Sequence, residues 1–200
     1  MRLPNSAHTS RPWRIHEFTR DFTVEDVWKL PTPGGPDGME ELVRQITTGP
    51  MTPNAIVRTL FSIRWKLGAL LGWDKPEKGF AKRVPSLRDR LPEDLLRARG
   101  PDMRAAPFRS VYRTHDEWVA ELANQTVHTL MHIGWVPDEE GDGYHAQMTA
   151  LVRPNGRFGK TYMAAILPFR RVLVYPRVIS TIGSRWQASA AGRPDPGQQK

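Results

Sequence analysis

Two segments of alternating side chains, joined by a short polar run, constrain the fold of this chain more than any other feature. Residues 127–136 alternate, and their more apolar side carries Val127, Thr129, Met131, Ile133 and Trp135. Residues 144–153 alternate in the same way, and the polar run "PDEEGDG" separates the two segments. Because side chains of an extended chain point alternately to its two sides, a period of two predicts β-strands. The short connection predicts an antiparallel hairpin with one buried side.

A long helical pattern follows the hairpin. From Phe158 to Trp186 the apolar residues recur every three or four positions, which predicts one long helix or two helical segments. Pro168 and Pro176 interrupt this pattern, and each frees the carbonyl group four residues before it, so the sequence predicts kinks there. The "PNG" run that ends at Gly156 is interpreted as a tight turn, because it lacks the spacing of a phosphate-binding loop.

The N-terminal half of the chain predicts several shorter elements. A strand is expected within residues 12–22, and a helix is expected to begin at Thr23, which is followed by acidic residues. The apolar spacing over residues 39–46 predicts a second helix. A longer amphipathic helix is predicted between Thr52 and Trp73, because Thr52 is a suitable N-cap and Pro53 fits the first helical position.

Three more elements are predicted just before the hairpin. A short helix is expected near residues 92–97, and a strand is expected over residues 108–114. Two interpretations of residues 115–123 are open. Thr114 and Glu117 have the spacing of a capping box that opens a helix, and a strand through the same residues also fits the pattern.

The chain is predicted to form one domain with loose ends. Residues 1–11 are polar and contain proline, which is typical of a flexible arm, and residues 187–200 have the composition of a disordered tail. Residues 12–186 are long enough for a single domain with its own core. The connection at about residues 74–107 is rich in proline and charge, and its length is typical of a lid or a wrapping insertion.

The composition excludes several classes of protein. The chain has no cysteine, which excludes disulfides, thiolate metal sites and cysteine nucleophiles. It has neither a signal-peptide pattern nor an apolar run long enough to span a membrane, so a cytoplasmic location is expected. The net charge of +8 favours an anionic partner in general, but the basic residues are spread along the chain without a dense run. We therefore expect no nucleic-acid partner.

Several motifs together resemble a bacterial family, the domain-of-unknown-function family 2867. The motifs include "EDVWKLPTPGGPD", "RVPSLRDRLP", "LANQTVHTLMHIGWVPD" and "LVRPNGRFGKTYMAAILPFRRVLVYP", and the resemblance extends from Ser10 to Trp186. That family is similar to the polyketide-cyclase, lipid-transfer (START) and birch-allergen-like superfamily (SRPBCC). The resemblance implies an α+β helix-grip fold, in which a curved antiparallel sheet wraps a long, proline-kinked C-terminal helix. It also implies a ligand-sized cavity between the sheet and that helix.

In a helix-grip fold, the aromatic and methionine side chains of the core also line the cavity. The resemblance therefore implies a set of ligand-binding candidates, which are Met131, Trp135, Tyr144, Met148, Tyr162 and Phe169. The catalytic candidates are His128, His132 and Tyr162, whose side chains can transfer a proton. The two histidines are not expected to share a metal ion, because four strand residues span roughly 13 Å. Near this strand, Glu121 is expected at the solvated surface.

Three hypotheses about function follow. The leading one is the binding of a hydrophobic small molecule in the cavity between the sheet and the C-terminal helix. An alternative is a cyclase- or lyase-like enzyme that uses acid and base groups in that cavity. A third is an interaction module for an oxidoreductase, since related domains occur fused behind NAD(P)-binding domains. No cofactor and no metal ion are predicted, and the ligand and the oligomeric state are left open.

Overall fold

The structure is a computed structural model that describes residues 1–49, 84–123, 127–155 and 170–191. Several predictions lie outside these residues. They concern the helix Thr52–Trp73, the first part of the insertion, the turn at Gly156, the helical residues 158–169 with Tyr162, Pro168 and Phe169, and the tail after Ala191.

The centre of the fold is a six-stranded antiparallel sheet. Its strands, in chain order, are β1 (Arg2–Leu3), β2 (Thr23–Lys29), β3 (Arg109–Arg113), β4 (Glu117–Ala123), β5 (Val127–Pro137) and β6 (Tyr144–Pro154). They lie in the order β1-β2-β6-β5-β4-β3. The predicted hairpin is confirmed as β5 and β6, with Met131 opposite Ala150 and Trp135 opposite Ala146.

The helices lie before, between and after the strands. They are α1 (Ser6–Thr9), α2 (Met39–Thr48), α3 (Glu93–Arg97) and α4 (Tyr175–Ala191). Two short 3₁₀ helices, Arg14–Glu17 and Leu87–Arg90, and a π-helical turn, Arg170–Val174, complete the described part. The helices predicted at residues 39–46 and 92–97 are confirmed as α2 and α3. The α+β class is also confirmed.

Two predictions in the N-terminal quarter are wrong. The residues after Thr23 form β2 rather than a helix, since this segment is a central strand that bonds to β6 on one side and to β1 on the other. Valine and tryptophan, at Val24, Val27 and Trp28, also favour strands over helices. The strand expected within residues 12–22 is instead the 3₁₀ helix Arg14–Glu17 and the loop after it.

The open question at residues 115–123 is decided in favour of a strand. This segment is β4, whose register places Glu117 opposite Gly134 and Ala123 opposite His128. Thr114 does make the backbone contact of a capping residue, because its hydroxyl group accepts a hydrogen bond from the Glu117 N–H (2.9 Å). The contact starts a strand here, since β3 and β5 provide ladder partners on both sides.

Both faces of the sheet are covered, in contrast to the single buried side that the alternation predicted. One face packs against α2 and α4 through a cluster that includes Leu42, Trp118 and Trp186; we call it the helix face. The other face packs against residues 13–24 and 87–95 through Trp13, Leu87 and their neighbours; we call it the loop face. Burial on both faces makes β5 and β6 strands of a three-layer core.

The ends of the domain also differ from the prediction. The residues predicted as a flexible arm contain β1, which pairs with β2, and His8, whose side chain is fully buried. At the other end, α4 continues to Ala191, past the predicted start of the disordered tail. Pro176 is the second residue of α4 and follows the π-helical turn, so its missing N–H lies in the first turn of α-helix. None of the described helices has the length and apolar character needed to cross a membrane.

Candidate functional site

The helix face brings together the described ligand-binding candidates. The side chains of Met131, Trp135 and Met148 are buried in one cluster, and Tyr144 packs against its edge. They meet because residues two apart on a strand share a face and because β5 and β6 are paired. Tyr162 and Phe169 lie outside the described residues.

One end of the helix face is closely packed. The indole N–H of Trp135 donates to the Gly35 carbonyl (2.9 Å), and that of Trp186 donates to the Pro33 carbonyl (2.8 Å). The two rings lie 5.6 Å apart. At Gly38 a Cβ atom would lie 2.2 Å from the Trp135 ring, so glycine permits this close approach. This end of the face is therefore solid core.

The other end of the helix face contains a buried carboxylate. The register of β2 against β6 shifts between Val24 and Asp26, and this irregularity brings Asp26 opposite Ala150, on the helix face. The Asp26 side chain is fully buried. Its Oδ1 atom accepts a hydrogen bond from Arg171 Nε (2.7 Å) and lies 3.2 Å from Arg2 Nε. Arg171 thereby ties the π-helical turn before α4 to β2.

A tryptophan and a tyrosine lie beside this carboxylate. Trp28 follows Asp26 by two residues and is opposite Met148. Its ring centre lies 5.5 Å from that of Tyr175, the first residue of α4. Burial raises the pKa of the Tyr175 phenol, although the Arg170 guanidinium, which donates to its hydroxyl group, acts in the opposite direction. The phenol is therefore neutral at physiological pH.

The side chains at this end of the helix face keep some accessible surface. Met131 and Ala150 are 8% exposed and Tyr175 is 9% exposed, whereas Trp118, Ile133 and Ala146 are fully buried. Ala150 and Ala120 flank Met131 in the same row of the sheet, so the two neighbours of Met131 in this row have small side chains. We call the five residues Asp26, Trp28, Met131, Ala150 and Tyr175 the helix-side crevice.

The catalytic candidates His128 and His132 lie on the opposite face of the sheet. They alternate with Met131 along β5, so the sheet separates both imidazoles from the helix-side crevice. Both are buried, and each is bonded to a glutamate of β4. The contacts of the two imidazoles therefore indicate whether they have a catalytic or a structural role.

Glu117 holds His132 and the N-terminal segment at the same time. Its carboxylate accepts hydrogen bonds from the backbone N–H groups of Arg14 (2.7 Å) and Ile15 (3.3 Å) and from the Tyr112 hydroxyl group (2.8 Å). His132 Nε2 lies 3.2 Å from the same carboxylate, which is a hydrogen bond in the tautomer protonated at Nε2. Burial by itself would raise the pKa of Glu117, but these donors lower the pKa below its usual value. Glu117 is thus an ionised hydrogen-bond acceptor rather than a helix cap.

Glu121, four residues after Glu117 on β4, has a similar arrangement. It is buried rather than solvated, which corrects the sequence-based prediction. Its carboxylate accepts hydrogen bonds from the Ser86 hydroxyl group and the Leu87 N–H (2.9 Å), and His128 Nε2 lies 2.9 Å from it.

Each of the two carboxylates binds the start of a 3₁₀ helix. The donors Arg14 and Ile15 begin one such helix, and Leu87 begins the other. In both pairs the histidine lies opposite the residue two positions beyond its glutamate, so the two pairs have the same geometry. The pairs therefore fasten two loop segments to the sheet. In both pairs the imidazole Nε2 atom lies within hydrogen-bond distance of its glutamate.

A third histidine lies next to His132. His8 is fully buried, and its ring centre lies 5.0 Å from that of His132 and 4.8 Å from that of His16. Within the described part of the chain, neither of its ring nitrogens has a hydrogen-bond partner. Burial, followed by the nearby His132 and His16, lowers the pKa of His8 to about 2. No three histidine or carboxylate side chains in the described ranges are arranged to hold a metal ion.

The sequence offered little sign of these roles. Asp26 looked like an acidic residue in the first turn of a helix, and Glu117 looked like a capping residue. An acidic residue among valine and tryptophan, as in "VEDVW", is the one local sign that a carboxylate is buried in a strand.

Replacing Ser86 with alanine tests the contact between Glu121 and the 3₁₀ helix Leu87–Arg90, which has fewer hydrogen bonds than the contact made by Glu117. The Ser86 hydroxyl group donates to Glu121 and accepts from the Arg88 N–H (3.1 Å), so it is the N-cap of its 3₁₀ helix. We expect Ser86→Ala to lower the free energy of unfolding by about 1 kcal/mol. Urea denaturation measures this, with Ser184→Ala on the exposed surface of α4 as the control. Equal losses in both variants would contradict the capping role.

The family of the chain can be identified from its sequence. A family model described as "Protein of unknown function (DUF2867)" matches residues 18–177, which is more than half of the chain. The chain belongs to the DUF2867 family. The DUF2867 match includes Asp26, both glutamate–histidine pairs and the start of α4, and it leaves out His8 and Trp186. No curated protein and no solved structure shows significant similarity to the chain.

Proposed function

We propose that the protein binds a hydrophobic small molecule in the helix-side crevice, between the sheet and the C-terminal helix. The observation that supports this most directly is that Met131, Ala150 and Tyr175, each 8–9% exposed, lie with the partly buried Trp28 on the helix face. Pockets for small molecules are concave and mostly apolar, with a few polar groups that orient the ligand. Methionine and aromatic side chains provide such a surface, because they adapt to irregular shapes.

The position of the crevice agrees with the helix-grip resemblance. In that fold the ligand lies between the sheet and the last helix, and the crevice lies where the π-helical turn and the first residue of α4 meet β2. We therefore extend the proposal to the fold, as a relative of the lipid-transfer and polyketide-cyclase superfamily.

Binding without turnover fits the crevice better than catalysis does. An acid or base must reach the reacting atom of a bound molecule within hydrogen-bond distance. His128 and His132 are separated from the crevice by the sheet and are already bonded to Glu121 and Glu117. The features of the described residues give no separate support to an oxidoreductase partner.

A neutral apolar fluorophore tests the proposed function. N-phenyl-1-naphthylamine brightens in an apolar site, so the wild-type protein should give a saturable signal at one molecule per chain. Ala150→Leu fills the space beside Met131 and should weaken this binding about tenfold or more, a change of about 1.4 kcal/mol. Ala188→Leu, on the exposed surface of α4, is the matched control and should bind like the wild type.

Two results would contradict the proposal. One is the absence of saturable binding by folded wild-type protein, as judged from its circular dichroism. The other is an Ala150→Leu variant that stays folded and binds the fluorophore as tightly as the Ala188→Leu control.

A further inference from the structure

Two polar atoms of the helix-side crevice are buried without a protein partner. Within the residues that the structure describes, Asp26 Oδ2 accepts no hydrogen bond and Trp28 Nε1 donates none. Buried polar groups in folded proteins are nearly always paired, so each such exception calls for an explanation. Both side chains point to the helix face, two residues apart on β2.

The arginines near Asp26 leave this second oxygen available. Arg171 and Arg2 both approach Oδ1, at 2.7 and 3.2 Å, and Arg171 Nη2 donates to the Glu25 carbonyl (3.0 Å) instead of to Oδ2. A buried carboxylate needs most of its lone pairs satisfied, and one oxygen alone is satisfied here. A donor from outside the protein would complete the arrangement.

We propose that the ligand of the crevice is an apolar molecule with one neutral hydroxyl head group, which donates to Asp26 Oδ2 and accepts from Trp28 Nε1. This inference rests on the proposed function and adds the chemistry of the ligand. A hydroxyl group is both donor and acceptor, whereas an indole N–H only donates and a carboxylate oxygen only accepts.

Charged head groups fit this pair of atoms less well. A carboxylate head can accept from Trp28 but has no proton to donate to Asp26 Oδ2, so it satisfies one of the two atoms and not the other. An ammonium head can donate to Asp26 but cannot accept from Trp28, and it would lie near the Arg171 guanidinium. Of these three head groups, the hydroxyl is the one that satisfies both atoms without a net charge.

Three ten-carbon probes that differ in the head group test this inference. Isothermal titration calorimetry at pH 7.5 compares 1-decanol, decanoate and decylamine with the full-length protein. Wild-type protein should bind decanol at least tenfold more tightly than the other two, because a hydrogen bond to a charged acceptor is worth about tenfold.

Asp26→Asn should change the order of preference. Arg171 and Arg2 will hold the oxygen of the asparagine, so its amide NH₂ will face the crevice and replace an acceptor with a donor. We expect decanoate to bind this variant more tightly than decanol. Trp28→Phe removes one donor and leaves the arginine contacts intact, and it should weaken decanol binding about threefold. Asp142→Asn, in the exposed turn between β5 and β6, should leave the wild-type order unchanged.

The outcomes separate this inference from the proposed function. If the wild-type protein binds the naphthylamine fluorophore and shows no preference for decanol, the inferred hydroxyl head group is wrong. The proposal that the crevice binds an apolar molecule is then retained. The same holds if decanoate is preferred. If neither the fluorophore nor any ten-carbon probe binds, the proposed function itself fails. If Asp26→Asn does not fold, the inference is tested by the order of probe affinities in the wild-type protein and by the Trp28→Phe variant. A decanol affinity that is unchanged in Trp28→Phe overturns the inference.

Discussion

Replacing Glu117 with alanine is expected to lower the free energy of unfolding by about 3–5 kcal/mol. The substitution removes the acceptor of two backbone N–H groups, at Arg14 and Ile15, and of the Tyr112 hydroxyl group. It also leaves His132 buried without its charged partner. Each buried donor that loses its acceptor incurs a desolvation penalty of about 1–3 kcal/mol, partly relieved by local rearrangement. Urea denaturation followed by circular dichroism measures the change.

Two further variants test whether the loss of stability is specific to the carboxylate of Glu117. Glu140→Ala removes a carboxylate from the exposed turn between β5 and β6 and should change stability by less than about 0.5 kcal/mol. Glu117→Gln keeps the shape and one acceptor but presents an amide to several donors, and its loss should lie between those of the two alanine variants. A loss below about 1 kcal/mol for Glu117→Ala would mean that Glu117 does not fasten residues 14–17 to the sheet.

Lowering the pH from 7.5 to 5 is expected to destabilise the fold by about 2 kcal/mol through His8 alone. The pKa of His8 is lowered to about 2 in the folded protein and is 6.5 in the unfolded chain. Between these values the unfolded state binds a proton that the folded state does not. The stability that His8 contributes is therefore complete above pH 6.5 and decreases steadily as the pH falls from 6.5 towards 2. At pH 5 the difference is about 1.5 pH units, at about 1.36 kcal/mol per unit.

A matched pair of histidine variants tests this pH dependence. His8→Leu should reduce the difference in unfolding free energy between pH 7.5 and pH 5 by about 2 kcal/mol. His115→Leu should leave it unchanged, because the His115 side chain is 92% exposed. The lowered pKa of Glu117 acts mainly below the ordinary pKa of a glutamate, 4.5, so its contribution at pH 5 is small, and it is the same in both variants. The lowered pKa of His145 acts in the same direction as that of His8 and is present in both variants. Equal pH dependence in the two variants would contradict the assignment to His8.

The strongest local sequence patterns were sufficient to predict several helices and strands. The period of two over residues 127–136 and 144–153 predicted β5 and β6, and the helical spacing over residues 39–46 predicted α2. These predictions succeeded because the side-chain period reports the backbone geometry of a segment directly. The family resemblance extended them to a sheet with a C-terminal helix on one face.

The helix predicted from Thr23 was wrong, and the same spacing at Thr114 left helix and strand both open. Both residues precede acidic residues at helix-start spacing, yet β2 begins at Thr23 itself and β4 begins at Glu117. The Thr114 hydroxyl group accepts from the Glu117 N–H at the start of a strand, so this contact does not specify a helix. Which element follows depends on whether neighbouring strands offer hydrogen bonds, and β6, the partner of β2, comes from the far end of the chain.

The sequence by itself determined where the hairpin lies, that its two strands alternate, and which side of β5 carries Met131 and Trp135. The tertiary structure alone decided that the other side is buried as well, since residues 13–24 and 87–95 cover it through contacts that no local pattern encodes. That burial makes Glu117 and Glu121 hydrogen-bond acceptors for loop backbones rather than surface charges. On the helix face, the tertiary structure likewise makes Asp26 a buried carboxylate, because its environment is set by strands and a helix that meet only in the folded chain.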